Sequence, residues 1–191
     1  MTDINITTVV FLGFKIINGF KALSFLSFVM VYCASVCGNS LIFILVIYSK
    51  NLHSPMYFFL SQLSMADIML TTDIAPSLLH VLLYDGGSMT FTESLTQLYL
   101  FGILETTECL LLTVMSYDRY LAICRPLHYN TIMNFLFCIR LSIGSWLLSA
   151  LIVILQATQI GQLHFCGPNT IDHFYCDFEP LIKLSCSDIF T

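Results

Sequence analysis

The run ALSFLSFVMVYCASVCGNSLIFILVIYS, residues 22–49, lies between Lys21 and Lys50 and contains no Asp, Glu, Lys or Arg. A helix needs about 20 mostly apolar residues to cross the hydrocarbon core of a bilayer. The whole chain has the same character, because 57% of its residues are hydrophobic and only 10% are charged. Soluble domains carry about 25% charged residues. The sequence therefore predicts a membrane protein.

Three further runs of comparable length lie at residues 51–84, 94–117 and 141–171. The second and third are interrupted only by acids, which are Asp67, Asp73, Glu105 and Glu108, and the fourth has no charge. Each run is long enough for a transmembrane helix. We expect an all-α membrane protein with four transmembrane helices, at residues 23–48, 57–81, 94–120 and 139–158.

The orientation in the membrane follows from the basic residues, since Lys and Arg collect in short cytoplasmic loops. The basic residues Lys50, Arg125 and Arg140 belong to the connections between the first and second and between the third and fourth helices. Lys15 and Lys21 oppose this assignment weakly. We expect cytoplasmic loops at 49–56 and 121–138, and extracellular segments at 1–22, 82–93 and 159–191.

Two features agree with an extracellular tail and last segment. Asn5 begins an Asn-Ile-Thr glycosylation sequon, which is used only on the lumenal side. Cys166, Cys176 and Cys186 fall in the last segment, in the oxidising compartment. The other five cysteines lie in or beside the spans, where they are expected to pack as small apolar residues.

The acids inside the spans need an explanation, because ionisable groups are costly at membrane depth. On the third span Glu105, Glu108 and Arg119 lie at helical spacings along one stripe, together with Leu112 and Met115. Asn39 and Asp67 lie in the middle of the first two spans, so Asn39, Asp67 and Glu108 are expected to form a buried polar cluster. Two interpretations stay open: protonated, hydrogen-bonded acids, or a pocket for water or a cation.

Nothing in the sequence indicates catalysis. There is no arrangement of nucleophile and base, no glycine-rich phosphate loop and no His and Cys spacing typical of zinc. The net charge of −5 argues against nucleic-acid binding. We expect no enzyme activity and no cofactor.

Several motifs, in this order and at these intervals, make the chain resemble vertebrate olfactory receptors, which are rhodopsin-like G-protein-coupled receptors. They are GN (38–39), LHSPMYFFL (52–60), LSMAD (63–67), SYDRYLAIC (116–124), PLHY (126–129), FCGPN (165–169) and IDHF (171–174). The resemblance covers almost the whole chain.

The resemblance implies a multi-pass receptor in the plasma membrane. Its partners would be a small volatile or water-soluble odorant and a heterotrimeric G protein of the stimulatory olfactory type. Asp118, Arg119 and Tyr120 would form the coupling switch, in which Asp118 holds Arg119 until activation frees it. A guanidinium suits this role because it stays charged and offers donors in a fixed plane.

The resemblance also assigns residues inside the bundle. It implies that the upper third helix lines the odorant pocket, with Phe101, Gly102, Glu105 and Thr106 as candidates. It supports Asp67 and Glu108 as members of a mid-bundle pocket able to hold sodium.

The chain departs from the family pattern in two places. Where the family has a Cys that pairs with the middle loop cysteine, this chain has Ser94, which leaves Cys176 unpaired, whereas Cys166 and Cys186 would still pair with each other. The chain also ends where a fifth helix is expected to begin, so it holds four helices of an incomplete seven-helix receptor bundle. We expect that these residues alone do not signal and that a truncated form is retained in the endoplasmic reticulum.

Two other protein classes fit the four spans less well. A complete four-span organiser of the tetraspanin kind would account for the number of helices, but it would not explain the motifs at 116–124 and 126–129. A small transporter or channel subunit would explain the intramembrane acids, but the two halves of the chain show no repeat.

Overall fold

The computed structural model describes residues 8–12, 18–49, 54–84, 86–161 and 170–171. The helices of this part are α1 (Asn18–Tyr48), α2 (Pro55–Tyr84), α3 (Phe91–Cys124), α4 (Pro126–Ile132) and α5 (Phe135–Gly161). Three short strands accompany them: β1 (Thr8–Leu12), β2 (Gly86–Thr90) and β3 (Thr170–Ile171). The all-α membrane class is confirmed, and the strands are an addition that the sequence did not indicate.

Four helices are long and apolar enough to cross a bilayer, over Lys21–Tyr48, Pro55–Leu83, Thr92–Cys124 and Phe135–Thr158. These windows begin two to four residues before the expected positions, because helical geometry continues into the flanking turns. Pro76 lies inside α2, which continues through it, as transmembrane helices tolerate. Within the described residues, none of the side chains in the apolar window of α1 is buried.

The described residues belong to two compact units. The first unit draws on the ranges Met1–Tyr32, Thr72–Phe101 and Val153–Thr191, and the second on Cys33–Thr71 and Gly102–Ile152.

The second unit has an apolar core formed by α2, α3, α5 and the region around α4. Its buried members are Phe59, Leu111, Leu121, Met133 and Cys138. A polar contact lies beside this core: the hydroxyls of Thr107 and Ser149 are 2.6 Å apart, and both residues are 0% exposed. Ser142 and Ser145 are buried on the same helix as Ser149, and small side chains of this kind allow close helix approach in a membrane.

The first unit joins α2 to α3 by a side-chain amide. Gln97 Nε2 donates to the backbone oxygen of Asp73 at 3.0 Å and to Ser77 Oγ at 2.9 Å. The same unit contains the sheet, whose strand order is β2-β1-β3. Strand β1 runs antiparallel to β2, from Thr8 opposite Thr90 to Leu12 opposite Gly86, and parallel to β3.

The segment 121–138, expected as a loop, is largely helical. Helix α3 continues to Cys124, and α4 begins at Pro126, where a proline suits the first helical turn because its missing N–H would have no partner there. Asn134 then starts α5, since its Oδ1 accepts the backbone N–H of Phe137 at 2.8 Å and so satisfies a free helix donor.

Candidate functional site

The carboxylate of Asp118 is the centre of a polar network near the end of α3. Asp118 is 0% exposed. Arg119 donates to its Oδ2 from Nε at 3.1 Å and from Nη2 at 2.6 Å. The Arg119 side chain is 49% exposed. The acid is therefore buried while its cation lies partly open, and the two are adjacent in the chain.

Tyr129 is a third member of this network, and sequence reasoning gave it no role. Its hydroxyl, on α4, donates to Asp118 Oδ1 at 2.8 Å. Its ring packs against the apolar core of the second unit. Burial, followed by the hydrogen bond and charge of Asp118, raises the pKa of Tyr129 to about 12, so the phenol is protonated and donates at neutral pH.

The signal for Tyr129 was present in the sequence, within the PLHY motif at 126–129. Its contact could not be predicted because α4 was expected to be a loop, and a loop gives no register for the side chain. Tyr120, the third expected member of the switch, is 52% exposed. The structure thus adds Tyr129 to the network around Asp118, and the role expected for Tyr120 stays a prediction.

The second polar group combines Asp67 of α2 with Glu108 of α3. The carboxyl group of Asp67 lies beside that of Glu108. Glu108 Oε1 is buried and has no hydrogen-bond partner. Asn39 lies half-buried on α1, and the described residues show no hydrogen bond from its side chain to either acid.

The four residues expected to line the odorant pocket lie along little more than one turn of α3. Gly102 is buried, Phe101 and Thr106 are half-buried, and Glu105 is exposed. Within the described residues, no group of three or more His, Cys, Asp or Glu side chains could hold a metal ion.

Most residues with an expected extracellular role, which are the glycosylation site and the loop cysteines, lie outside the described residues. Asn5, Cys166, Cys176 and Cys186 all lie outside them. Ser94 is described: it is 1% exposed, and its Oγ has no hydrogen-bond partner. The described cysteines are free thiols, at Cys33, Cys37, Cys109, Cys124 and Cys138.

Comparison with known proteins decides the family, because a protein-family model described as olfactory receptor matches residues 28–191. The chain belongs to the olfactory receptor family. Olfactory receptor 6N1 of Homo sapiens is 43% identical over 179 residues, which are 94% of this chain and 57% of the relative. For olfactory receptor 4B1 of Homo sapiens the identity is 44% over 186 residues, 97% of this chain and 60% of the relative.

A mouse relative matches equally well: olfactory receptor 4B13 of Mus musculus is 43% identical over 186 residues, which are 97% of this chain and 61% of the relative. The chain thus spans about three fifths of the length of these curated relatives. Olfactory receptors are G-protein-coupled receptors, not enzymes, and the four-span organiser class is not favoured.

Proposed function

We propose that this chain forms the first four helices of an odorant-activated, G-protein-coupled receptor, in which Asp118 and Arg119 are the resting half of the coupling switch. The observation that carries the proposal is the bonding of two Arg119 nitrogens to one oxygen of the fully buried Asp118. Because the Arg119 side chain is half exposed, its guanidinium can leave Asp118 and bind acceptors of a partner without crossing the apolar core. Tyr120, next in the chain, is exposed beside it.

The switch has two states, and an odorant shifts their populations only if it binds one state more tightly than the other. The partner of the released Arg119 is the G protein, of the stimulatory olfactory type. Arginine suits this exchange because its fork of donors can rebind a new set of acceptor oxygens.

The odorant pocket is proposed on the α3 stretch that contains Phe101, Gly102, Glu105 and Thr106. Such a ligand gains most of its affinity from burial and is oriented by a few polar groups. The Asp67 and Glu108 pair forms the mid-bundle pocket. The unpartnered Glu108 Oε1 is the acceptor that a water or a sodium ion would take, with Asn39 as the neighbouring polar residue on α1.

The proposed orientation places residues 1–22, 82–93 and 159–191 outside the cell. The sheet supports it, because β1, β2 and β3 come one from each of these segments and paired strands must lie on one side of the membrane. The glycan at Asn5 and the Cys166 to Cys186 disulfide belong to the same side. The complete receptor is expected in the plasma membrane and the isolated chain in the endoplasmic reticulum.

The test joins residues 1–191 to the fifth to seventh helices of one of the curated relatives and measures cyclic AMP after odorant addition. Surface amount is measured in the same cells. We expect Arg119→Ala to abolish the odorant response at an unchanged surface amount. Arg119→Lys is the matched control. Lysine keeps the positive charge but lacks the planar set of guanidinium donors, so this variant should retain part of the response.

Two results would contradict the proposal. An Arg119→Ala receptor that signals normally at equal surface amount would remove Arg119 from the switch. A cyclic AMP rise in cells that express only residues 1–191 would show that the four-helix chain signals without further helices.

A further inference from the structure

The sheet of the first unit joins three segments that are far apart in the chain. Strand β1 precedes α1, β2 leads directly into α3, and β3 follows the end of α5. Because β1 is the middle strand, β2 and β3 have no strand contact with each other except through it. The position of β3 relative to β2, at the start of α3, therefore depends on β1.

The pairing of β1 uses its backbone on both sides. Val10 lies opposite Ser88 of β2 and opposite Thr170 of β3, and Phe11 lies opposite Gly87 and Ile171. The N–H and C=O groups of a middle strand point at one neighbour or the other, so each paired residue of β1 contributes to holding a strand beside it.

Close to this sheet, α3 lacks a covalent tether at its first turns. Ser94 lies four residues after the end of β2, is 1% exposed, and its hydroxyl has no partner. A serine cannot form a disulfide. Within the described residues, the start of α3 and β3 are thus connected by backbone pairing through β1.

We propose that β1 is a non-covalent strap, which holds β3 and β2, at the start of α3, beside each other. Loss of this strap lowers the amount of correctly folded protein. This inference does not depend on the odorant or on the G protein.

The first test measures the register of β1 by cysteine cross-linking of the full chain in membranes. Val10→Cys with Ser88→Cys places two thiols opposite each other. Val10→Cys with Gly86→Cys is the matched control, since Gly86 lies two residues away in the register and faces the same side. We expect disulfide-linked peptides, identified by mass spectrometry, to be several-fold more abundant for the first pair.

The second test measures the contribution of the backbone pairing. Val10→Pro removes an N–H that faces a neighbouring strand, whereas Val10→Thr keeps the backbone and a β-branched side chain. We expect the proline variant to lower the fraction of protein that reaches the cell surface several-fold and the threonine variant to leave it unchanged. The cross-link at 10 and 88 should weaken in a Phe11→Pro background.

The two tests together decide the proposal. Equal cross-linking of the matched and offset pairs would overturn it, because β1 would then have no fixed register. The proposal would also be overturned if the Val10→Pro protein reached the cell surface in the same amount as the Val10→Thr protein. If the proline variants are too unstable to recover, the cross-linking result on otherwise unaltered chains still confirms or refutes the strap.

Discussion

Removal of the Tyr129 hydroxyl is the sharpest test of the network around Asp118. In Tyr129→Phe, Asp118 Oδ1 loses the donor that lies 2.8 Å away, and Asp118 is 0% exposed, so water cannot easily replace it. A hydrogen bond to a charged group contributes about 1.5 to 3 kcal/mol. We therefore expect the free energy of unfolding to fall by about 1.5 to 3 kcal/mol, which is roughly a 10- to 150-fold change in the unfolding equilibrium constant.

The assay is equilibrium unfolding of the purified chain in mixed micelles with increasing SDS. Tyr117→Phe is the control, because Tyr117 lies one residue before Asp118 and is 44% exposed. A change for Tyr129→Phe below about 0.5 kcal/mol, the range of ordinary surface substitutions, would refute the contribution assigned to this bond.

A second prediction for Tyr129→Phe concerns how the free energy of unfolding depends on pH. The pKa of Tyr129 rises in the folded protein from its ordinary value of 10.0 to about 12. The folded state thus holds the phenolic proton more tightly than the unfolded state, so this stability is present below pH 10 and is lost as the pH rises towards 12. We expect the difference in unfolding free energy between the parent chain and Tyr129→Phe to shrink over that interval. A difference that stays constant would contradict the shift.

Three further experiments concern the pair Thr107 and Ser149, the helix cap Asn134, and Ser94. In a double-mutant cycle, Thr107→Val and Ser149→Ala should show a coupling of about 0.5 to 1.5 kcal/mol in unfolding free energy, and additive effects would remove this bond. Asn134→Ala should lower the unfolding free energy by about 0.5 to 2 kcal/mol, whereas Asn134→Ser, which keeps an acceptor for the N–H of Phe137, should not. Ser94→Cys should raise the surface amount of the protein, and an unchanged amount would count against the idea that the missing cysteine lowers it.

The membrane class and the spans could be predicted because the bilayer imposes length and apolarity on each segment separately. The run at 22–49 needs no knowledge of the rest of the chain to be read as a span. The Asp118 and Arg119 pair could also be predicted, since the two residues are neighbours in sequence and the family resemblance gave them a role.

Contacts that depend on the packing of distant segments could not be predicted. Thr107 and Ser149 carry no special pattern in the sequence, and their bond exists only because α3 and α5 approach closely. The bond of Tyr129 required α4, whose seven residues are too few to show a helical period. The strands could not be predicted for a similar reason. Gly86–Thr90 is short and begins with two glycines, which are rare in strands.

The two oxygens of Asp118 have different partners, and this division bears on how the switch opens. Arg119 uses only Oδ2, and Tyr129 uses only Oδ1. If Arg119 leaves, the buried carboxylate keeps one donor, whereas a buried charge left with no partner costs about 3 to 5 kcal/mol. Tyr129 therefore stabilises the released state as well as the resting one, and to a greater degree, because there it is the remaining partner. We expect Tyr129→Phe in the seven-helix fusion to lower the maximal odorant response at equal surface amount, and a raised basal response would show instead that Tyr129 holds the resting state.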